Sequence, residues 1–124
     1  MRHSTLVAFL EGQLPSARFV AEITPEVDAC SAAIEATGHG RIIMVPDGSK
    51  ILLTRDHARR LLRAMSDATL SPRAASYVAD CIIMGRRFET DESDDAPLEA
   101  IHFAADDSAP PTAEEIASAL ARLD

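Results

Sequence analysis

The chain has 124 residues, the size of one domain, so we expect a single globular domain over residues 1–124. Its hydrophobic fraction of 47% excludes a disordered chain, and its formal net charge of −8 opposes binding to nucleic acid or to an anionic membrane surface. The longest apolar runs fall far short of the ~20 residues that a membrane span needs, and Glu11 interrupts the region where a secretory signal would lie, so we expect a cytoplasmic protein.

The beginning of the chain predicts two helices joined by a tight corner. In the stretch FLEGQLPSARFVAEI, from Phe9 to Ile23, apolar residues at helical spacing flank a short polar turn. Ser4 is suited to cap the first helix, Gly12 to end it, and Ser16 to cap the second. A looser copy recurs in MSDATLSPRAASYVADCI, from Met65 to Ile82, and both copies predict αα-hairpins.

A third helix is predicted to begin at Thr24 and Pro25. A hydroxyl at the N-cap favours a helix start, and a proline in the first turn loses no hydrogen bond there. Val27, Cys30 and Ile34 follow at a spacing that places them on one helix face. We expect that face to be buried.

The stretch RIIMVPDGSKILLT interrupts the helical pattern and predicts a β-hairpin. Two apolar runs, 42–45 and 51–53, flank the turn-forming residues 46–49. An Asp-Gly pair between two such runs is the strongest short-range indication of a hairpin.

Two further helices are predicted after the hairpin. Thr54 is suited to cap the first, whose buried face is predicted to hold Ala58, Leu61, Leu62 and Met65. Ser71 and Pro72 start the second, whose buried face is predicted to hold Ala75, Val78, Cys81 and Ile82. The arginines of the first of these helices are expected to lie in solvent or to pair with the protein's own acidic residues; they are Arg55, Arg59, Arg60 and Arg63.

The last part of the chain predicts an acidic connection followed by two helices. The stretch RRFETDESDD indicates an extended or flexible connection around residues 89–97, and a short helix is predicted over 97–105. Thr112 and Glu115 have the spacing of a capping box and start the final helix. The predicted fold class is mainly α (α+β), a compact bundle of about six helices with one β-hairpin inserted near residues 41–54.

The sequence contains no recognised catalytic or nucleotide-binding motif, so we expect neither enzymatic activity nor a cofactor. The four histidines are scattered singly, and only His57 beside Asp56 keeps a small enzyme open as an alternative. The adjacent pairs Asp94-Asp95 and Asp106-Asp107 lack the spacing of a calcium loop, so we expect solvated carboxylates and no metal site. The two cysteines have no CxxC spacing and are expected to be buried free thiols.

Acidic residues are concentrated in the last third of the chain. Residues 89–124 hold eleven acids and one base, Arg122, whereas residues 1–88 hold nine acids and eleven bases. Such a surface attracts basic partners. The predicted partner-binding residues are Glu89, Asp91, Glu92, Asp94, Asp95 and Glu99, with Asp106 and Asp107 as a second patch.

Two stretches resemble small bacterial immunity proteins. The stretch from Phe9 to Ile23 is similar to the helical corner with which many of them begin. The stretch LSPRAASYVADCIIMGRRFETDESD resembles the part of colicin D-type immunity proteins in which a helix runs into an Arg-Phe-Glu stretch and then an acidic run; the matching positions are Leu70, Ser71, Pro72, Arg87, Phe88, Glu89 and Asp91. The resemblance implies a protein that binds one cognate toxin and blocks its active site, with acidic side chains in place of nucleic-acid phosphates.

The sequence therefore predicts an immunity or antitoxin protein that neutralises a cognate bacterial toxin, a nuclease with a basic active-site cleft. We expect it to be a monomer when free and to bind neither nucleic acid nor membrane. Three alternatives stay open: an acidic cytosolic secretion chaperone, a small enzyme and a helix-turn-helix regulator.

Overall fold

The computed structural model describes residues 1–124, which form six helices and two short strands. In chain order these are α1 (His3–Leu10), α2 (Ser16–Thr37), β1 (Ile51–Leu52), α3 (Arg55–Ser66), α4 (Pro72–Met84), β2 (Phe88–Glu89), α5 (Ala96–Ala105) and α6 (Ala113–Ala121). The predicted fold class, a mainly α bundle of about six helices, is confirmed, and the bundle contains one small pair of strands. No helix combines the length and the apolar character needed to cross a membrane.

The core lies where α3, α4 and α5 meet, and α1 and α6 pack on α3. All eight residues predicted for the buried faces of α3 and α4 are buried. The core is mostly aliphatic because the chain has four Phe, one Tyr and no Trp. Its buried aromatic residues are Phe9, Phe19 and Tyr77, and the rings of Phe9 and Phe19 stack at 4.1 Å and join α1 to α2.

The predicted hairpin is wrong in its pairing, although strand residues do lie in that region. β1 pairs in parallel with β2, with Ile51 opposite Phe88 and Leu52 opposite Glu89. The run 42–45 pairs instead with the start of the chain, through a parallel bridge between Arg2 and Val45. Parallel strands need a long crossover, which α3 and α4 supply here.

The segment 46–49, predicted as the hairpin turn, contacts α1 instead. The carboxylate of Asp47 accepts hydrogen bonds from the backbone N–H and the hydroxyl of Ser4, at 2.9 and 2.6 Å. The chain bends at Gly48, but the two apolar runs beside the bend diverge to different partners and form no hairpin.

The expected helix start at Thr24 and Pro25 is also wrong. α2 runs without a break through both residues, so the two predicted helices are one helix of 22 residues. The hydroxyl of Thr24 donates to the carbonyl of Val20 at 2.7 Å, four residues earlier. The Thr24 side chain therefore bonds within the helix and does not act as an N-cap.

Helix caps were predicted with mixed success. Thr54, Ser71 and Thr112 each accept a hydrogen bond from the first turn of their helix, as expected. Ser4 and Ser16 do not cap, because both lie inside their helices: Ser4 is the second residue of α1, and Ser16 is the first residue of α2. The failures are errors of one or two residues in the helix start, the least certain feature of a helical pattern.

Candidate partner-binding site

Seven of the eight predicted partner-binding carboxylates are exposed and form no ion pair with the protein's own bases. Five of them lie along β2, the following turn and the first turn of α5. We call this set the acidic edge; it consists of Glu89, Asp91, Glu92, Asp95 and Glu99.

Asp94 is the exception because it binds one of the protein's own arginines. Its two carboxylate oxygens accept from Nε and Nη2 of Arg55 at 2.8 and 2.9 Å. The hydrogen bond from Arg55 lowers the pKa of Asp94. This contact fastens the turn before α5 to the start of α3, and it confirms for Arg55 the expectation of pairing within the molecule.

Two carboxylates are held by local turns and keep an exposed face. Asp91 accepts from the N–H and the hydroxyl of Ser93 at 2.9 and 2.6 Å. Asp106 accepts in the same way from Ser108 at 3.0 and 2.7 Å. These hydrogen bonds lower the pKa of both carboxyls, so both stay charged in mildly acidic solution.

The structure does not bring all the predicted carboxylates to one place. The acidic edge adjoins the start of α5, whereas Asp106 and Asp107 follow its end. Along the axis of α5, the nearest members of the two groups, Glu99 and Asp106, are about 10 Å apart. The second patch instead joins acids from other elements.

Asp106 and Asp107 lie on the rim of an open groove between α2 and α4, which we call the α2–α4 groove. It has a volume of about 800 Å³ and is lined by residues of α2, α4 and the segments 68–71 and 106–110. Five acids and a single base, Arg73, line it; the acids are Asp28, Glu35, Asp80, Asp106 and Asp107.

The apolar floor of the groove corrects an expectation about α2. Val27, Cys30 and Ile34 were predicted to be buried together, but only Val27 is. Cys30 is half-buried, and 48% of Ile34 is exposed. The periodicity identified the apolar face correctly, but no other element covers its second half.

Sequence reasoning missed Asp80, the acid on the α4 wall. It is half-buried, and its pKa is raised by burial first and then by the charge of Asp107. Its one available signal was a single acid within an otherwise apolar helix of the sequence AASYVADCII. An acid in that position must sit at the boundary of the core.

Tyr77 connects the two walls of the groove. Its hydroxyl donates to Oε2 of Glu26 on α2 at 2.5 Å. Burial, followed by this hydrogen bond, raises the pKa of Tyr77. The bond fixes the spacing of α2 and α4 on the core side of the groove.

His57 does not pair with Asp56, the neighbour that kept a small enzyme open as an alternative. Its Nδ1 accepts from the N–H of Thr54 at 3.1 Å, and Thr54 accepts from the N–H of His57 in return, which completes a capping box. Nε2 lies 3.3 Å from the carboxylate of Glu11, and Asp56 pairs with Arg59 instead. The buried ring therefore has a structural role at the start of α3.

Both cysteines are free thiols, and Cys81 is buried as expected. Burial raises the pKa of Cys81 to about 12, so the thiol stays protonated and unreactive. No three His, Cys, Asp or Glu side chains are arranged to hold a metal ion.

Comparison with protein-family models, with curated proteins and with solved structures finds no match for this chain. The positions of its own charged and apolar side chains therefore support what is proposed below.

Proposed function

We propose that the protein is an immunity-type inhibitor that binds and neutralises a cognate bacterial toxin, a nuclease, through its acidic surface. The single observation that supports this is that seven of the eight predicted partner-binding carboxylates are exposed and form no ion pair with a base of the protein. The protein acts in the cytoplasm and is a monomer until it meets the toxin.

The chemistry of a nuclease explains why such a surface would inhibit it. A nuclease holds its polyanionic substrate in a cleft lined by Lys and Arg. Clustered carboxylates present the same sign of charge as the substrate, and they accelerate association by electrostatic steering. Where a carboxylate is also desolvated by the partner, it can become one of the few residues that dominate affinity.

The acidic edge is the part of this surface that we assign to steering and first contact. Glu92 and Asp95 flank the turn that Asp94 and Arg55 hold in place, and Glu99 follows on the first turn of α5. A surface anchored in this way meets a partner with little loss of conformational freedom.

Expression beside a toxin tests the proposal. The chain should co-purify with a toxin domain encoded by the neighbouring gene and should rescue growth of cells that express that domain. If that gene encodes no toxin and the chain rescues nothing, the proposal fails.

A matched pair of variants separates the acidic edge from net charge alone. The double variant Glu92→Gln/Glu99→Gln and its control Glu22→Gln/Glu114→Gln remove the same charge from exposed positions, and each contains one first-turn helix acid. The edge variant should lower the association rate at low salt by about three- to tenfold, and the control should leave it unchanged. Equal losses in both would contradict a role for the acidic edge.

No specific observation favours any of the three alternative functions. Secretion chaperones commonly have a broad sheet and form dimers, whereas the sheet here consists of two strands of two residues. An obligate dimer in sedimentation would favour the chaperone, and salt-dependent DNA binding would favour the regulator.

A further inference from the structure

The α2 wall of the α2–α4 groove has the spacing of a helix-packing seam. Val20, Thr24, Val27, Ser31 and Ile34 follow one another at intervals of four and three residues, and all five line the groove. Alternating steps of four and three are the repeat with which one helix receives another. α2 thus presents a seam along a wall about 21 Å long, in which Val27 is buried against the core while Thr24 and Ile34 are exposed.

The opposite wall is also a helix face. Arg73, Ser76, Tyr77 and Asp80 line the groove from α4, at spacings of three, four and seven from the first of them. Residues at these spacings share one side of a helix. Two helix faces with an open space of about 800 Å³ between them can accept a third helix in the manner of helix-in-groove recognition.

The charges of the groove restrict which helix fits. Five carboxylates and one guanidinium line it, and the small polar Thr24 and Ser31 interrupt the apolar floor. An acidic helix would be repelled, and a wholly apolar one would leave the carboxylates on the rim without partners as it desolvates them. A helix with one apolar face and flanking Lys or Arg satisfies both the floor and the rim.

Asp80 and Asp107 add a local reason for a cationic partner. Asp80 is half-buried on the α4 wall, and its pKa is raised by burial and then by the negative charge of Asp107. Neither carboxylate forms an ion pair within the chain. A Lys or Arg placed between them would relieve the repulsion.

We propose that the α2–α4 groove is the docking site for a basic amphipathic helix of the partner protein. The inference rests on the proposed function for the identity of the partner, which is the toxin. It gives the second acidic patch, Asp106 and Asp107, a role distinct from that of the acidic edge: the edge steers, and the groove holds.

A synthetic helix tests the groove directly. The probe is a peptide of about 15 residues made of Leu and Lys, with Leu at seam spacing. The first control peptide has the same composition in scrambled order. The second has the same order with Glu in place of Lys. In an amide-resolved NMR titration, only the first peptide should shift resonances, and the shifts should cluster on α2, α4 and residues 106–110. Binding of the Glu peptide, shifts confined to residues 89–99, or no binding by the Leu-Lys peptide would overturn the proposal.

Variants of the groove identify the contacts. Ile34→Asn removes an exposed apolar side chain, and Asp80→Asn/Asp107→Asn removes two charges from the rim. Each should weaken peptide binding by about tenfold, while the control Glu22→Gln/Glu114→Gln, with the same charge change as Asp80→Asn/Asp107→Asn, should not. Thermal unfolding checks that each variant is folded. Ile34→Asn is expected to fold because Ile34 lies outside the core.

The same variants separate this inference from the proposed function. If the peptide binds in the groove and the chain neutralises no toxin, the proposed function fails and the groove remains a site for a basic helix. If Ile34→Asn loses the peptide and still binds the toxin at full affinity, the groove inference fails and the proposed function stands. Dimers that form at high concentration and disappear in Ile34→Asn would assign the groove to a second copy of the chain and overturn the inference.

Discussion

At the scale of single residues, Asp80 differs from the other acids in being held against the core without a base to neutralise it. Burial disfavours its charged form, and Asp107 adds repulsion. The folded state therefore binds the proton of Asp80 more tightly than the unfolded chain does. Ionisation of this group consequently opposes folding.

We expect Asp80→Asn to increase the free energy of unfolding at neutral pH. The gain should be absent below the ordinary carboxyl pKa of 3.8, where the wild-type residue is protonated in both states. It should grow as the pH rises from there to the raised pKa and stay constant above it. Denaturant unfolding of both proteins between acidic and neutral pH measures the difference. Asp28→Asn, an exposed acid of the same groove, is the control and should change stability little. A less stable Asp80→Asn at neutral pH would contradict this account.

Individual residues also show where local sequence is sufficient. Thr54, Ser71 and Thr112 were identified as caps because each stands directly before an apolar pattern and can bond within three residues. Ser4 had the same local qualification, but α1 begins one residue before it, and its hydroxyl donates to Asp47, 43 residues away. A distant partner of this kind leaves no trace near Ser4 in the sequence.

At the scale of elements, the prediction from the sequence was least accurate for α2, which was expected to be two helices. Pro25 lies in its interior, where it lacks the N–H that would bond to the carbonyl of Ala21. The hydroxyl of Thr24 donates to the neighbouring carbonyl of Val20 and keeps the turn together. Packing of Phe19, Ile23 and Val27 against the core overrides the local preference to end the helix here.

We expect Pro25→Ala to raise the free energy of unfolding by about 1–3 kcal/mol, because alanine restores the missing hydrogen bond and removes a steric clash. Pro72→Ala is the matched control, since Pro72 begins α4 where no hydrogen bond is lost, and it should change stability by at most about 0.5 kcal/mol. Chemical denaturation of the two variants provides the comparison. Equal effects at both positions would show that the interior proline of α2 carries no special cost.

At the scale of the whole molecule, unbalanced charge is the dominant property. The chain carries a formal charge of −8, and its last third, residues 89–124, contains eleven acids and only one base. Its ion pairs are few, so salt has little attraction to weaken and much repulsion to screen.

We therefore expect the melting temperature to rise by about 2–5 °C when sodium chloride is raised from about 0.02 to 0.5 M. Chloride is preferred to sulfate, which strengthens apolar burial itself. The Glu92→Gln/Glu99→Gln variant should show a smaller rise, since it begins with less repulsion. A melting temperature that stays constant or falls with salt would mean that attractive pairs outweigh the acidic surface.

Most of the helices, the buried faces of α3 and α4 and the acidic character of the last third follow from the sequence alone. They depend on neighbours within about four residues, or on composition, and both can be read along the chain. All eight residues assigned to the buried faces of α3 and α4 are therefore buried, although each helix also buries residues that the pattern did not name, such as His57 and Tyr77.

The pairing of β1 with β2, the attachment of Val45 to the start of the chain and the open half of the α2 face emerge only in the folded molecule. Each depends on which of several competing surfaces a segment meets after the chain has closed on itself. A short apolar run fits many such surfaces almost equally well, so the packing of the remaining helices determines its partner. For the same reason a periodic apolar stripe predicts a helix face, whereas the fold determines whether the protein itself covers that face or leaves it open to another molecule.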